Sequence, residues 1–245
     1  MKIIPQNEYS NYIHIADSIS ICRVYPMSVA EGIQSGHIYT GGDAVLFRHQ
    51  NNFTFIAGTP DADFIDAIHD LIVNDGMKLI CTDKTLCDIL ISRGGTAAIP
   101  RCNYVYPNTI APKATLPDGY SFRNIDKNIF ESVSGRVAPS LFWSSADQFL
   151  KNGMGVCVMF GNEVASWAFS SAVSRDECDI GIQTADAHRK KGLAKAAAAQ
   201  LIGNILPNKR PTWSCQISNK GSAHTAESLG FKKCCEVVMI KAADN

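Results

Sequence analysis

The stretch from Asp179 to Leu206, DIGIQTADAHRKKGLAKAAAAQLIGNIL, constrains this chain more than any other. Asp179 to Gln183 alternate polar residues with Ile180 and Ile182, as a half-buried strand does. A short polar turn follows at Thr184 to Ala187, then Arg189-Lys190-Lys191-Gly192-Leu193-Ala194, then a helix former that runs to Pro207. Leu193, Ala197, Leu201 and Ile205 share one helical face, and the alanine run Ala196 to Ala199 favours helix and close packing on a sheet. A strand, a glycine-bearing turn and a helix N-terminus in succession aim free backbone N–H groups and the positive end of the helix dipole at one spot. A phosphate or pyrophosphate suits that spot, and Gly192 and Ala194 permit close approach to the backbone. Three cations in the first turn oppose the helix dipole, which suggests a compensating anion. A solvated basic turn is the alternative reading.

The chain has 245 residues, enough for a large core or two modest domains. Its 23 basic and 23 acidic residues balance, so no global charge points to nucleic acid or an anionic membrane. No run approaches the apolar length of a membrane span, and the N-terminus lacks the apolar core of a secretory signal. A cytoplasmic protein with reduced thiols is the expectation for its nine scattered cysteines. The histidines form no HExxH or spaced Cys/His cluster, so no metal is expected, and no phosphate-binding Gly-x-x-x-x-Gly-Lys-Ser/Thr loop is present.

Several further elements are legible. Ile13 to Ile21 reads as a short helix, and Ala44–Arg48 with Phe53–Ala57 as a hairpin. Thr59 is placed to cap a helix that begins at Pro60 and carries Phe64 and Ile68. Met77–Cys81 reads as a strand, Leu86–Ile91 as helix, and Tyr104–Tyr106 as strand. Pro107, Pro112 and Pro117 mark a crossing between units. The division is placed near residue 117, giving an N-terminal α/β domain (1–116) and a second domain (117–245). In the second, Ser144 caps a helix closed by Gly153, and Val156–Phe160 and Val164–Phe169 form a hairpin around Gly161-Asn162. Thr212–Ile217, Ser222–Leu229 and Val237–Ile240 read as strand, helix and strand.

Two antiparallel strands precede the strand that leads into Arg-x-x-Gly-x-Ala, carried by Arg189, Gly192 and Ala194. A second motif combines Trp213, Cys215, Asn219, Ser222 and Ala226 with Leu229-Gly230-Phe231. Together these resemble the GNAT superfamily of acyl-CoA-dependent N-acyltransferases. The second motif is especially similar to the branch that includes an antibiotic-resistance acetyltransferase against zwittermicin. The resemblance covers roughly Phe142 to Met239; further towards the N-terminus it is one of layout. It implies a GNAT-like α/β fold, with a mixed, largely antiparallel central sheet flanked by helices and an additional N-terminal α/β domain. It also implies acetyl-CoA, or another short acyl-CoA, as cosubstrate. Its pyrophosphate would lie on the backbone of Lys190, Lys191, Gly192, Leu193 and Ala194, beside Arg189. The pantetheine arm would pair with the backbone of Ile182, Gln183 and Thr184, with Asn219 on its other side. Ser222 would touch the cofactor or steady the next helix, and both Asn219 and Ser222 also read as turn and cap residues.

The implied reaction is direct attack of a neutral amine on the thioester, in a ternary complex, with a small-molecule amine as acceptor. Many relatives carry a proton-donating tyrosine where this chain has Ala226. Asp179 and Glu163 are the candidate general bases, with Glu177 beside them. His188 reads as a phosphate contact or a turn-packing residue, and Cys178 and Cys215 as core thiols. A CoA-binding or acyl-CoA-sensing protein, and a structural protein on the same scaffold, are the competing readings. A homodimer is compatible with all three.

Overall fold

The computed structural model describes residues 1–243. The first half of the chain runs β1 (Lys2–Ile3), α1 (Ile13–Ser18), α2 (Val24–Ala30), β2 (Gly36–Gly41), β3 (Ala44–His49), β4 (Phe53–Ala57), α3 (Ala62–Asp75), β5 (Lys78–Cys81), α4 (Lys84–Ser92) and β6 (Thr96–Val105). The second half runs β7 (Tyr120–Asn124), α5 (Lys127–Ser132), α6 (Ala146–Asn152), β8 (Gly155–Phe160), β9 (Glu163–Val173), β10 (Glu177–Thr184), α7 (Leu193–Ile205), β11 (Arg210–Gln216), α8 (Lys220–Ser228) and β12 (Lys232–Ala242).

The two halves repeat one plan. In the first, β1–β2, β2–β3 and β3–β4 are antiparallel and β4–β5 is parallel. In the second, β7–β8, β8–β9 and β9–β10 are antiparallel and β10–β11 is parallel. A helix crosses over each parallel pair, α3 in one and α7 in the other. The N-terminal α/β region foreseen from sequence is thus a second rendering of the same fold. The result is the expected mixed, largely antiparallel sheet with flanking helices. The chain forms two compact units, Met1–Asn103 with Cys215–Ser218 and the segment from Cys235 on, and Tyr104–Ser214 with Asn219–Cys234.

In the first unit β3 is buried throughout, because both its faces are covered. Ala44 and Leu46 pack with Phe64, Ile68 and Ile72 of α3, whereas Val45 and Phe47 pack with Met27 and Val29 of α2. That is why the strand reads as a continuous apolar run rather than an alternation. In the second unit α7 packs across β8, β9 and β10. Its burial is wider than the four-apart stripe: Ala196, Ala198 and Ile202 are buried as well as Leu193, Ala197, Leu201 and Ile205. The small alanine side chains let the helix sit close to the sheet. Trp143 lies in the core, its indole N–H donating to the Ser170 carbonyl at 2.7 Å.

Two helix starts differ from the sequence reading. Helix α3 is capped by Asp61, whose carboxylate accepts from Phe64 N–H at 2.8 Å, so Thr59 and Pro60 lie ahead of the helix. Helix α6 is capped by Ser145 rather than Ser144, whose hydroxyl instead donates to Gln148 Oε1. In both cases the residue with an oxygen in reach of the N3 N–H takes the role. Helices α2 and α5 escape a periodicity reading because they are short, and α2 contains Pro26.

His49, at the end of β3, is buried edge-on against Tyr25, with ring centroids 5.3 Å apart. Its Nδ1 accepts the Asn51 N–H at 3.2 Å. Burial pushes its pKa down to about 4. The folded chain therefore keeps His49 neutral over a range in which the unfolded chain binds a proton. Stability should be full above the ordinary histidine value near 6.5 and fall as pH drops towards 4, by about 3 kcal/mol from this group. Thermal unfolding of wild type and His49→Gln across that range checks this: the variant should lose much of the slope.

Candidate active site

The second unit opens where two parallel strands part. β10 pairs with β11 only through Glu177↔Arg210, Cys178↔Pro211 and Asp179↔Thr212. On its other side β10 stays paired with β9 as far as Thr184↔Ser166, with a register shift between Asp179 and Ile180. A bulge bends its strand, and this one falls where the β11 pairing ends. From Ile180 to Thr184 the β11-facing edge of β10 is left without strand partners. Gly181 is required here, because a Cβ would meet the Phe169 ring at 2.9 Å.

Asp179 sits at the base of the fork, 5% exposed. Its Oδ2 accepts from Ser171 of β9 at 2.8 Å and its Oδ1 from Thr212 of β11 at 3.1 Å. Glu177, also buried, is paired with Arg210. Glu163 lies at the far end of β9. Asp179 is in register with Ala172, nine residues along from Glu163, so the two carboxylates are separated by roughly 30 Å of extended strand. They cannot both attend one reacting atom.

Past Thr184 the chain makes a short 3-10 turn, Asp186–His188, and reaches α7 through two residues in the left-handed region. These are Lys190 at φ +61° and Gly192 at φ +77°. Gly192 is the N-cap of α7 and offers no side chain to its N–H groups. Five other helices differ: α3, α4, α5, α6 and α8 each have a side-chain oxygen on the first turn, from Asp61, Asp83, Asp126, Ser145 and Asn219, whereas the short α1 and α2, like α7, have none. Helix α7 instead has no acid in its first turn, and Arg189, Lys190 and Lys191 are exposed beside it. Arg189 pairs with Asp186 at 2.6 Å on the surface. Among the described residues no carboxylate pairs with Lys190 or Lys191. The N–H groups of this turn have no side-chain cap, the condition under which a helix N-terminus favours an anion.

Side chains around the turn are mostly engaged with the protein itself. Gln183 Oε1 accepts from Val137 N–H at 2.8 Å, and the Gln183 backbone carbonyl accepts from Ser166 Oγ at 2.9 Å. The Thr184 hydroxyl meets that of Ser166 at 2.8 Å, and Ile182 is half-buried. Asn219 caps α8 through Ser222 N–H at 3.1 Å, and Ser222 Oγ accepts from the Trp213 indole at 3.0 Å. Leu193 is buried and anchors the start of α7, while Ala194 is half-buried. Ala226 is fully buried.

A polar chain that sequence reading did not assemble flanks the turn. His188 is buried, with Nδ1 2.9 Å from the Tyr120 hydroxyl and Nε2 3.3 Å from Glu163 Oε1. Lys191 Nζ donates to the Tyr120 hydroxyl at 3.0 Å and lies 5.6 Å from the centre of its ring. Tyr120 opens β7, far from the turn in sequence, so no local signal joins them.

Burial pushes the Cys157 thiol up to about 11 and raises Cys178 well above the ordinary range, with Asp179 adding to the latter shift. Neither supplies a thiolate near neutral pH. All nine cysteines are free thiols. Among the described residues no cluster of His, Cys, Asp or Glu is set to hold a metal, and no helix is long and apolar enough to cross a membrane.

A sheet forked between parallel strands, with an uncapped helix N-terminus beyond the fork, is the architecture of an acyl-CoA N-acetyltransferase domain. The sequence matches the family model for GNAT acetyltransferase over residues 25–239, and the chain belongs to that family. Among solved structures it is similar to a GCN5-related N-acetyltransferase-like protein from Streptococcus suis, at 22% identity over 98% of this chain and 100% of that one, with a TM-score of 0.79. It is similar to a GCN5-related N-acetyltransferase from Kribbella flavida at 14% identity, covering 93% and 98% of the two chains with a TM-score of 0.63. A tandem GNAT protein from the clavulanic acid biosynthesis pathway matches at 10% identity, covering 100% and 98%, with a TM-score of 0.61. At these identities the likeness is one of fold. No curated protein is similar enough to count as a match.

The left-handed conformation of Gly192 gives a sharp test. A Cβ there would meet no atom within 4 Å, so any effect of substitution comes from backbone strain rather than collision. Gly192→Val should reshape the turn and weaken acetyl-CoA binding roughly tenfold, with little change in the thermal midpoint because the turn is exposed. Titration and thermal unfolding of the same variant check both halves.

Proposed function

We propose that the chain transfers an acetyl group from acetyl-CoA to a primary amine of a small-molecule acceptor. The observation that carries this reading is the uncapped N-terminus of α7, entered through left-handed Lys190 and Gly192 beside the unpaired edge of β10. The N–H groups from Lys190 to Ala194 hold the pyrophosphate, with Arg189, Lys190 and Lys191 countering its charge. The free edge at Ile182 to Thr184 takes the pantetheine arm as a short added strand, and the Asn219 carboxamide reaches it from α8. Bound acetyl-CoA supplies an activated thioester. A backbone N–H near Gln183 stabilises the developing oxyanion, and the amine attacks directly, with no acyl-enzyme. The C–S bond breaks to release coenzyme A, whose thiolate takes a second proton lost from the attacking nitrogen, through solvent. Asp179 at the base of the fork receives the ammonium proton through a water. The resemblance of the motif from Trp213 to Phe231 to the zwittermicin-resistance branch favours a small amine acceptor.

A second reading, CoA binding without turnover, is favoured by one observation: fully buried Ala226 offers no proton to the leaving thiolate. Calorimetric titration with acetyl-CoA, followed by assay of thiol release with a panel of amines, separates the two.

The N-terminal copy of the fold should not add a second acyl-CoA site. The equivalent turn, Gly58 to Asp63, has Pro60 in place of an N–H donor, and Asp61 already occupies the first turn of α3. One acetyl-CoA per chain is expected, with affinity in the micromolar range; two would sink this assignment. If Asp179 is the base, Asp179→Asn should lower kcat and remove the acidic limb of the pH–rate profile. A variant with an unchanged profile would leave Asp179 as a structural tie between strands.

A further inference from the structure

We propose that Tyr120, His188 and Glu163 form a positioning relay that holds Lys191 over the bound pyrophosphate. This rests on the acyl-CoA reading above and assigns Glu163 to the turn rather than to proton abstraction.

The directions of the hydrogen bonds follow from the donors available. An ammonium only donates, so the Tyr120 oxygen accepts from Lys191 Nζ at 3.0 Å. The Tyr120 hydroxyl proton is then free to donate to His188 Nδ1 at 2.9 Å. That leaves the imidazole proton on Nε2, which faces Glu163 Oε1 at 3.3 Å. Each member suits the next: the carboxylate makes the imidazole a better acceptor, and the imidazole makes the phenol oxygen a better partner for the ammonium.

Packing makes the chain stiff. The His188 side chain is 7% exposed and its ring meets Phe160 and Tyr120 at centroid distances of 5.6 and 5.7 Å. Tyr120 also lies 4.9 Å from Phe160. The phenol ring is thus packed against both the Phe160 and the His188 rings. Lys191 keeps two donors for a ligand after giving one to Tyr120. A long lysine that would otherwise sample many rotamers is held in advance, so less freedom is lost on binding. Among the described residues Lys190, its neighbour, has no such tether.

The test is a mutant cycle on the full chain, read by calorimetric titration with acetyl-CoA. Tyr120→Phe keeps the ring and removes only the hydroxyl; it should weaken binding about tenfold. Lys191→Met should weaken it at least as much. The double variant should bind no more weakly than Lys191→Met alone, because Tyr120 acts through that lysine. Losses that add in full, or a Tyr120→Phe variant that binds like wild type, would overturn the relay while leaving the acyl-CoA reading intact. A wild-type chain that takes up no acetyl-CoA would overturn both. If Tyr120→Phe does not fold, the exposed Glu163→Gln carries the test: a two- to threefold weakening, on the order of one lost charge-assisted contact, that disappears in the Lys191→Met background supports the relay. No weakening overturns it.

Discussion

Everything the second unit can offer a ligand depends on β10 leaving β11 after Asp179. The parting is built in. A bulge redirects β10 at Asp179/Ile180, and the buried Asp179 carboxylate ties Ser171 of β9 and Thr212 of β11 to that same point. Beyond it, a row of backbone groups on one edge of β10 is left without a strand partner. Such groups are costly if buried unpaired, about 1–3 kcal/mol each, and an extended ligand that pairs with them gains what a strand would have gained. The fork also explains why the helix beyond it begins with a glycine and no cap: the chain needs left-handed residues to turn from strand to helix, and the N–H groups they expose stay available.

The repeated plan shows how the same scaffold is turned towards or away from an anion by very few residues. Strands β4 and β5 pair from Phe53↔Lys78 to Phe55↔Ile80, and a cavity of about 310 Å³ opens beyond their ends, lined in part by Ile56, Gly58, Pro60, Thr82 and Asp83. The helix that follows β4 carries its own anion, since Asp61 caps the Phe64 N–H and Asp63 adds a second negative charge in the first turn. An incoming pyrophosphate would meet carboxylates there and three cations at α7. The architecture is duplicated; the electrostatics of the two turns are opposed.

Much of the second unit was legible because its signals are local. The alternation into β10, the basic glycine turn and the alanine-rich α7 all lie within one stretch, and the two-residue hairpin at Gly161-Asn162 announces itself. The duplication was not legible. Strand β3 is covered on both faces and shows no alternation, α2 contains a proline, and α5 is a single short segment. The helix starts were misread by one or two residues where neighbouring residues could both cap, as at Thr59 and Asp61 or Ser144 and Ser145. The polar chain beside the turn could not be read at all, because Tyr120, Glu163 and His188 meet only once β7, β9 and the turn are folded together. Fully buried Ala226, by contrast, was a departure visible in the sequence and unchanged by the structure.

The division of labour at the turn accounts for how far sequence can drift on this fold. Gln183 spends its carboxamide on Val137, Thr184 its hydroxyl on Ser166, Ser222 its oxygen on Trp213, and Asn219 its oxygen on Ser222. Side chains that flank the proposed cofactor path hold the backbone in shape, and the backbone presents the donors and acceptors. Recognition through main-chain groups demands a conformation, not a set of residue types, so solved structures at 10–22% identity retain the fold across nearly the whole chain. It also locates where residue identity must matter. Gly192, whose φ other residues resist, and the exposed cations Arg189, Lys190 and Lys191 carry chemistry of their own at this turn. The remaining freedom lies with groups such as the Ser134–Val137 segment, held to β10 by Gln183 and to β9 by the Trp167 indole on the Val137 carbonyl. A loop fastened at both strands can change its exposed residues, Arg136 among them, without disturbing the backbone that would grip the cofactor.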